Sequence, residues 1–466
     1  MTHTDDVGRS GLSRGLSMRH IQFIALGSAI GTGLFYGSAS AIAAAGPAVI
    51  LVYLVAGAGV YLVMRALGEM AVREPVAGSF GHYATQYLGP FAGFVTGWTY
   101  VFEMIVVALA DVTAFGVYMQ YWFPESPQWM WVVVIILLVA GINAISVKAY
   151  GETEFWLTLV KVGAIVAMVL GGIALLLTGT NLSGGYQSGL GNLIGHDGFT
   201  PYGLGGCLAA LSVVVFAFGG VENVGITAGE ADDPARAIPR AVNSVPVRIL
   251  LFYVATMIVL MSLLPWTVID GKSSPFVQIF AALGVPMAAA LLNVVVITAA
   301  ISAINSDTFG AGRMLFGMAE EGHAPAFFTS VTTRGVPWPA TTVMCAALAV
   351  GAVLNAAIPK DVFVLIASIA TFATVWVWLM ILSSHIVMRR RISRGDLPES
   401  GFRSPGGAIG SWIAVAFMVL VIATLAWNEE TRVSFVVGVL WIALLTVVYQ
   451  VAVRRRATPS DHSSAV

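Results

Sequence analysis

The chain has 466 residues, 58% of them hydrophobic and only 10% charged, with a mean hydropathy of +0.86 and a formal net charge of −1. A soluble domain carries about 25% charged residues, so a water-soluble enzyme is excluded and nothing points to a nucleic-acid partner. The near-zero net charge is uninformative, because the charges are segregated along the chain.

Apolar runs of roughly 20 residues, each sufficient to cross about 30 Å of hydrocarbon, recur from end to end. They predict twelve spans at 19–44, 47–72, 89–122, 129–148, 155–178, 204–229, 242–266, 285–316, 337–357, 361–388, 410–427 and 433–453. The chain reads as an all-α polytopic membrane protein with polar tails at 1–18 and 454–466. Residues 1–18 lack an apolar core, so no cleavable signal peptide is expected. With both termini inside, 19 of the 23 Lys and Arg residues fall at cytoplasmic ends and loops, and only Lys272, Lys360 and Arg432 fall opposite. That asymmetry orients a protein of the cell membrane.

Within span 1, "IALGSAIGTGLFYGSA" (24–39) places Gly27, Gly31 and Gly33 in an apolar run. Glycine costs about 1 kcal/mol relative to alanine in a helix interior, so this cluster predicts a break. In span 2, Arg65, Glu69 and Arg73 stand at i, i+4 spacing and read as an ion-pair ladder. Span 3 carries Glu103 and Asp111 on roughly one side of its helix. Span 5 carries Lys161, a cation at a depth where ionisable groups are functional by default. Span 6, "VVVFAFGGVENVGITAGE" (213–230), holds Gly219 and Gly220 at mid-membrane depth, followed at once by Glu222 and Asn223. Glu222 sits where an acid favours the dipole of a second half-helix, or where it relays protons.

The two breaks open successive groups of five spans, 19–178 and 204–388. Five is odd, so the groups insert in opposite orientations, and spans 11 and 12 at 410–453 fall outside this 5+5 inverted repeat. Interrupted helices at corresponding positions of two halves point to a transporter site. Unwound backbone survives in lipid only where it faces protein or a cavity. A half-helix that starts at a break offers N–H groups, and one that stops there offers carbonyls. Together they match a zwitterion, so the breaks read as a receptor for an α-amino acid head group; the competing reading is close helix packing on small residues.

Four stretches carry a family likeness: "RGLSMRHIQFIALGSAIGTGLFYGSA", "PVAGSFGHYA" (75–84), "GEADDPARAIPRAV" (229–242) and "SAINSDTFGAGRMLFGMAEEGHAP" (302–325). In order and spacing they resemble the amino-acid permeases of the amino acid–polyamine–organocation superfamily, over about residues 11 to 455. The branch most similar holds the bacterial proline-, histidine-, aromatic- and γ-aminobutyrate-type permeases. The resemblance implies that the amides of Gly31, Thr32 and Gly33 hold the substrate carboxylate. It implies that the carbonyls of Ala29, Phe216 and Gly219 accept from its ammonium, and that Phe216 and Phe218 gate the pocket. In proton-coupled members a span-5 lysine replaces the Na⁺ that bridges spans 1 and 8 in sodium-coupled ones, so Lys161 is implied as the coupling residue. The competing reading is a fixed ion pair of Lys161 with Glu222, Glu103 or Asp111. Asp307 maps to the side-chain end of the pocket and suits a substrate N–H such as that of imidazole; otherwise it pairs with Arg313 or caps a kink near Ser302 and Ser306. Glu103 departs from the better-known branches, which leaves its role open.

No metal cluster, nucleophile–base pair or phosphate loop stands out, so no cofactor is expected and transport is expected to draw on an ion gradient. The expected function is proton-coupled symport of an L-amino acid by alternating access, histidine or proline type favoured. The alternatives are an uncoupled exchanger of the same fold, a γ-aminobutyrate or broad neutral permease, or a channel or sensor. Oligomeric state is not legible.

Overall fold

The computed structural model describes residues 16–28, 30–179, 187–269, 274–282, 286–357 and 363–453. The expectations at Ala29, Lys272 and Lys360, and those for the tails beyond 16 and 453, lie outside the described residues.

Helical residues occupy each segment read as a span. The chain begins with α1 (Met18–Gly27), a π-helical turn (Gly33–Gly37) and α2 (Ser38–Ala45), then α3 (Val49–Arg73), α4 (Ser79–Leu88), α5 (Pro90–Met119), α6 (Gln128–Ile145) and α7 (Val147–Thr178). It continues with α8 (Gly203–Phe216), α9 (Asn223–Thr227), α10 (Pro234–Asn243), α11 (Val245–Arg248) and α12 (Thr256–Leu263), the last two joined by a second π-helical stretch. The remainder comprises α13 (Pro275–Ala282), α14 (Pro286–Glu320), α15 (Trp338–Ala357), α16 (Phe363–Ser393), α17 (Ala408–Trp427) and α18 (Arg432–Val448). Among the described residues, eight stretches are long and apolar enough to cross a bilayer, and Gln128–Asn143, Gly203–Phe216 and Trp338–Val350 are shorter apolar helices. Leu137, Leu177, Trp427 and Leu440 expose bare apolar surface on the outside of the bundle, which suits lipid rather than water.

At the centre, α5 lies along α14 and against α16; α1 packs on α7, and α2 on α8. Two features depart from the sequence reading. The predicted fifth span starts at 155, whereas α7 begins at Val147, capped by Ser146 Oγ accepting the Ala149 N–H at 3.1 Å. The polar Glu152 and Glu154 lower local hydropathy without ending the helix, so a hydropathy window stops too late. The second departure is the ladder at the end of α3. Glu69 is fully buried and accepts from His385 Nε2 at 2.9 Å, Arg389 Nη1 at 3.0 Å and the Ser404 N–H at 2.7 Å. Arg65 donates instead to Asn243 Oδ1 and the Arg403 carbonyl, and Arg73 to the Pro398 carbonyl. The segment after α16 folds over this end of α3, so tertiary partners displace the helical neighbours.

The arginine-rich end of the bundle is closed by the chain itself. Leu16 pairs backbone-to-backbone with the segment at Ala231. Beneath it Arg313 Nε donates to Glu230 Oε1 at 2.8 Å with both side chains buried, and its guanidinium lies 3.6 Å from the Phe309 ring centroid. Phe309 in turn stacks on Tyr150 at 3.9 Å. Removing one partner of a buried pair strands the other charge and costs about 3–5 kcal/mol. Glu230→Gln is therefore expected to lower the thermal unfolding midpoint of the detergent-solubilised protein clearly, and the double change Glu230→Leu with Arg313→Met is expected to restore most of it.

Candidate functional site

Both predicted breaks are present. The first helix stops at Gly27 and helical structure resumes at Thr32; the second stops at Phe216 and resumes at Asn223. The two openings touch. A Cβ built on Gly33 would lie 2.6 Å from the Ala217 Cα, and one on Gly220 would lie 2.8 Å from the Ser28 carbonyl oxygen. Gly220 also has φ +89°, a left-handed turn that only glycine adopts cheaply. The backbone at 217–222 therefore approaches the first break this closely because one partner in each contact is a glycine, Gly33 against Ala217 and Gly220 against Ser28.

The carbonyl end of α1 is already matched by a cation. Lys161, fully buried on α7, donates from Nζ to the carbonyls of Gly27 at 2.7 Å and Ile30 at 3.0 Å, and to Ser302 Oγ on α14 at 2.9 Å. An ammonium at the C-terminal end of a half-helix meets its negative dipole, and hydrogen bonds to a charged group each contribute about 1.5–3 kcal/mol. Three of them offset the several kcal/mol of burying the ion. The direct partners are thus two backbone carbonyls and a hydroxyl. None of the ion pairs weighed from the sequence, with Glu222, Glu103 or Asp111, is a direct contact of Nζ.

At the other side of the first break, the Thr32 hydroxyl donates to Asp111 on α5. The Thr32 side chain is thus held by a resident carboxylate, between the two glycine positions Gly31 and Gly33. Phe216 and Phe218 also part company. Phe216 packs with Val106, Ala110, Ala367 and Ala370 and lies against Gly33, and its carbonyl accepts the Gly219 N–H at 2.9 Å. The Phe218 ring is buried 4.5 Å from Tyr253 and 6.2 Å from Tyr53, locked in an aromatic group between α3 and the α11–α12 segment rather than facing the first break. Successive residues of a turn point in different directions, which the sequence pair alone does not reveal.

Around the second break stands an acid-rich group. Glu222 Oε1 accepts the Gly220 N–H at 3.1 Å and Oε2 accepts from Trp378 Nε1 at 3.1 Å. Glu103 accepts from Thr374, whose hydroxyl lies 3.7 Å from where a Gly219 Cβ would be, and Tyr100 donates to Asn223. Asp307 does not pair with Arg313, which is held by Glu230. Among the described residues, Glu103 Oε2, Asp111 Oδ2, Asp307 Oδ2 and Asn223 Nδ2 are buried without a hydrogen-bond partner. Buried polar atoms are seldom left unmatched, so these four have hydrogen-bonding capacity to spare for water or a bound molecule. The sequence reading missed Glu154 and Asn305, and placed Ser302 only beside a kink. Glu154 and Lys161 are seven residues apart, on one face of a helix, a signal hidden by starting the span after Glu154.

Over residues 20–460 the sequence matches the family model described as amino acid permease. The chain belongs to the amino acid permease family. Relatives of the permease include an uncharacterized amino acid permease, YtnA, of Bacillus subtilis (strain 168), 43% identical, with 94% of each chain covered. The aromatic amino acid transport protein AroP of Escherichia coli O6:H1 is 44% identical, covering 94% of this chain and 95% of the relative. The probable threonine/serine transporter YbxG of Bacillus subtilis (strain 168) is 41% identical, again covering 94% and 95%. The permease is accordingly a multi-pass membrane transporter of amino acids, in a family of transporters rather than enzymes.

Proposed function

We propose that the permease imports an L-amino acid together with a proton by alternating access, with both termini cytoplasmic, twelve spans and a 5+5 inverted repeat. The observation that carries this reading is the meeting of two helix breaks, with Lys161 on the carbonyls of the first and bonded to Ser302 of α14. The amides of Gly31, Thr32 and Gly33 would receive the substrate carboxylate, and the Ala29, Phe216 and Gly219 carbonyls its ammonium, with Phe216 closing over it. Phe218 belongs to the aromatic group that moves with this turn. Lys161 is the coupling residue, with Glu222 near the second break. Packing of α1 on α7 and of α8 on α16 supports the repeat, because spans 1 and 5 correspond to spans 6 and 10.

For the substrate, the unmatched oxygens of Asp307 and Glu103 favour a side chain that donates an N–H, so histidine is preferred over proline, which has no donor beyond its head-group nitrogen. Carried over from the names of relatives, aromatic amino acids and threonine or serine form the second reading. Counterflow in proteoliposomes, with and without a protonophore, tests the transport mode. Accumulation abolished by the protonophore supports symport, whereas exchange indifferent to it supports an uncoupled exchanger. A competition panel against labelled histidine tests the substrate: Asp307→Asn is expected to raise the histidine KM at least tenfold, and an unchanged KM removes Asp307 from the pocket.

A further inference from the structure

We infer that Glu154 is the inward proton acceptor of the transport cycle, loaded from Lys161 through the Ser302 hydroxyl. This rests on the coupling role proposed for Lys161. The three groups form one continuous chain: Lys161 Nζ donates to Ser302 Oγ at 2.9 Å, and Ser302 Oγ donates to Glu154 Oε2 at 2.6 Å. A hydroxyl that accepts one hydrogen bond while donating another is the group through which a proton passes. In the transfer, the ammonium gives a proton to Ser302 Oγ while the serine hydrogen moves to Glu154 Oε2. The products are a neutral amine, an unchanged serine and a protonated carboxyl group, with no other reactant needed.

Direction follows from the helix. Glu154 precedes Lys161 by seven residues on α7, about 10 Å along the axis at 1.5 Å per residue, toward the end that the positive-inside rule places in the cytoplasm. A second set of hydrogen bonds fixes the carboxylate in place. Its other oxygen, Oε1, accepts from Asn305 Nδ2 at 2.8 Å, and Asn305 Oδ1 accepts from Asn143 Nδ2 at 2.7 Å. Packing around it is close, since a Cβ on Gly27 would lie 3.4 Å from Glu154 Oε2 and 2.0 Å from Thr158 Oγ1. The polar and charged neighbours that face Glu154 are Lys161, Tyr150 and Thr158 on its own helix and Ser302, Asn305, Ser306 and Asp307 on α14; Asp111 of α5 acts on Lys161. A carboxylate bonded only to fix the lysine would need no hydroxyl between them. Glu154, Ser302 and Lys161 are each fully buried, so release to water waits for the arginine-rich end to open.

The test uses the full-length protein in proteoliposomes with pyranine trapped inside. An equimolar mixture of the protein L-amino acids is added outside, unlabelled for the pyranine signal and ¹⁴C-labelled for counterflow. Glu154→Gln keeps size and polarity but takes up no proton; Ser302→Ala removes the hydroxyl and Ser302→Thr returns it. The expected result is counterflow retained in all three, with amino-acid-triggered acidification lost in Glu154→Gln and Ser302→Ala and restored in Ser302→Thr. Acidification at wild-type rate and pH dependence in Glu154→Gln overturns the relay while leaving the coupling role of Lys161 intact if Lys161→Ala still abolishes it. Acidification that survives in Lys161→Ala overturns the coupling reading itself. Should Glu154→Gln lose counterflow, the serine pair decides: wild-type acidification in Ser302→Ala, or loss of counterflow there too, assigns these groups to structure and overturns the relay.

Discussion

Lys161→Ala is expected to abolish concentrative uptake while sparing exchange. The ammonium binds the carbonyls of Gly27 and Ile30 and bridges to Ser302, so its charge state is felt at once by the first break and by α14. A proton crossing about 100 mV releases about 2.3 kcal/mol, enough for roughly 40-fold accumulation. Without the lysine that accumulation is expected to fall to equilibration, whereas counterflow, which needs only the substrate cradle and the rocking of the bundle, continues. Uptake driven by an imposed pH gradient, measured in proteoliposomes, checks this. Accumulation at wild-type level would remove Lys161 from coupling.

The second large effect is expected from Gly33→Val. Any Cβ at this position would sit 2.6 Å from the Ala217 Cα and 3.1 Å from Phe216 Cδ1, and the nearest atom belongs to backbone that has no rotamer to escape into. Overpacking of this kind costs about 1–3 kcal/mol, and it acts by prising apart the two openings proposed to meet around the substrate. A displacement of about 1 Å in a positioned site costs on the order of 100-fold in rate. Substrate binding by scintillation proximity is expected to fall by that order, with the folded protein still recovered by size-exclusion chromatography. Gly31→Ala is the matched control, since its added carbon would meet Ala303 Cβ at an ordinary 3.6 Å and is expected to do much less.

The breaks were readable because a helix in lipid tolerates glycine and polar residues together only where backbone must open, and both openings lie where that pattern falls. Lys161 was readable for a similar reason: a lone cation deep in an apolar run needs a purpose. What the sequence concealed is partner choice. Glu69 looks like the middle of a surface ladder until the segment after α16 covers it and His385 and Arg389 take over its oxygens. Asp307 and Arg313 are six apart on one helix, yet the arginine turns to Glu230, which lies far away in sequence. Phe216 and Phe218 look equivalent as gate residues, but the turn between two half-helices sends one ring against Gly33 and the other into the Tyr53–Tyr253 group. Glu154 was lost at a boundary, because hydropathy sees the membrane and not the helix that continues past it.

The central claim is that two opened helices present their peptide dipoles to one amino acid head group. A structure of the permease determined with its transported amino acid bound tests this most directly. Density is expected for the carboxylate at the Gly31 and Gly33 amides and for the ammonium beside the Phe216 and Gly219 carbonyls. A substrate seated away from both openings, with 28–33 and 217–222 making no contact with it, would contradict that claim.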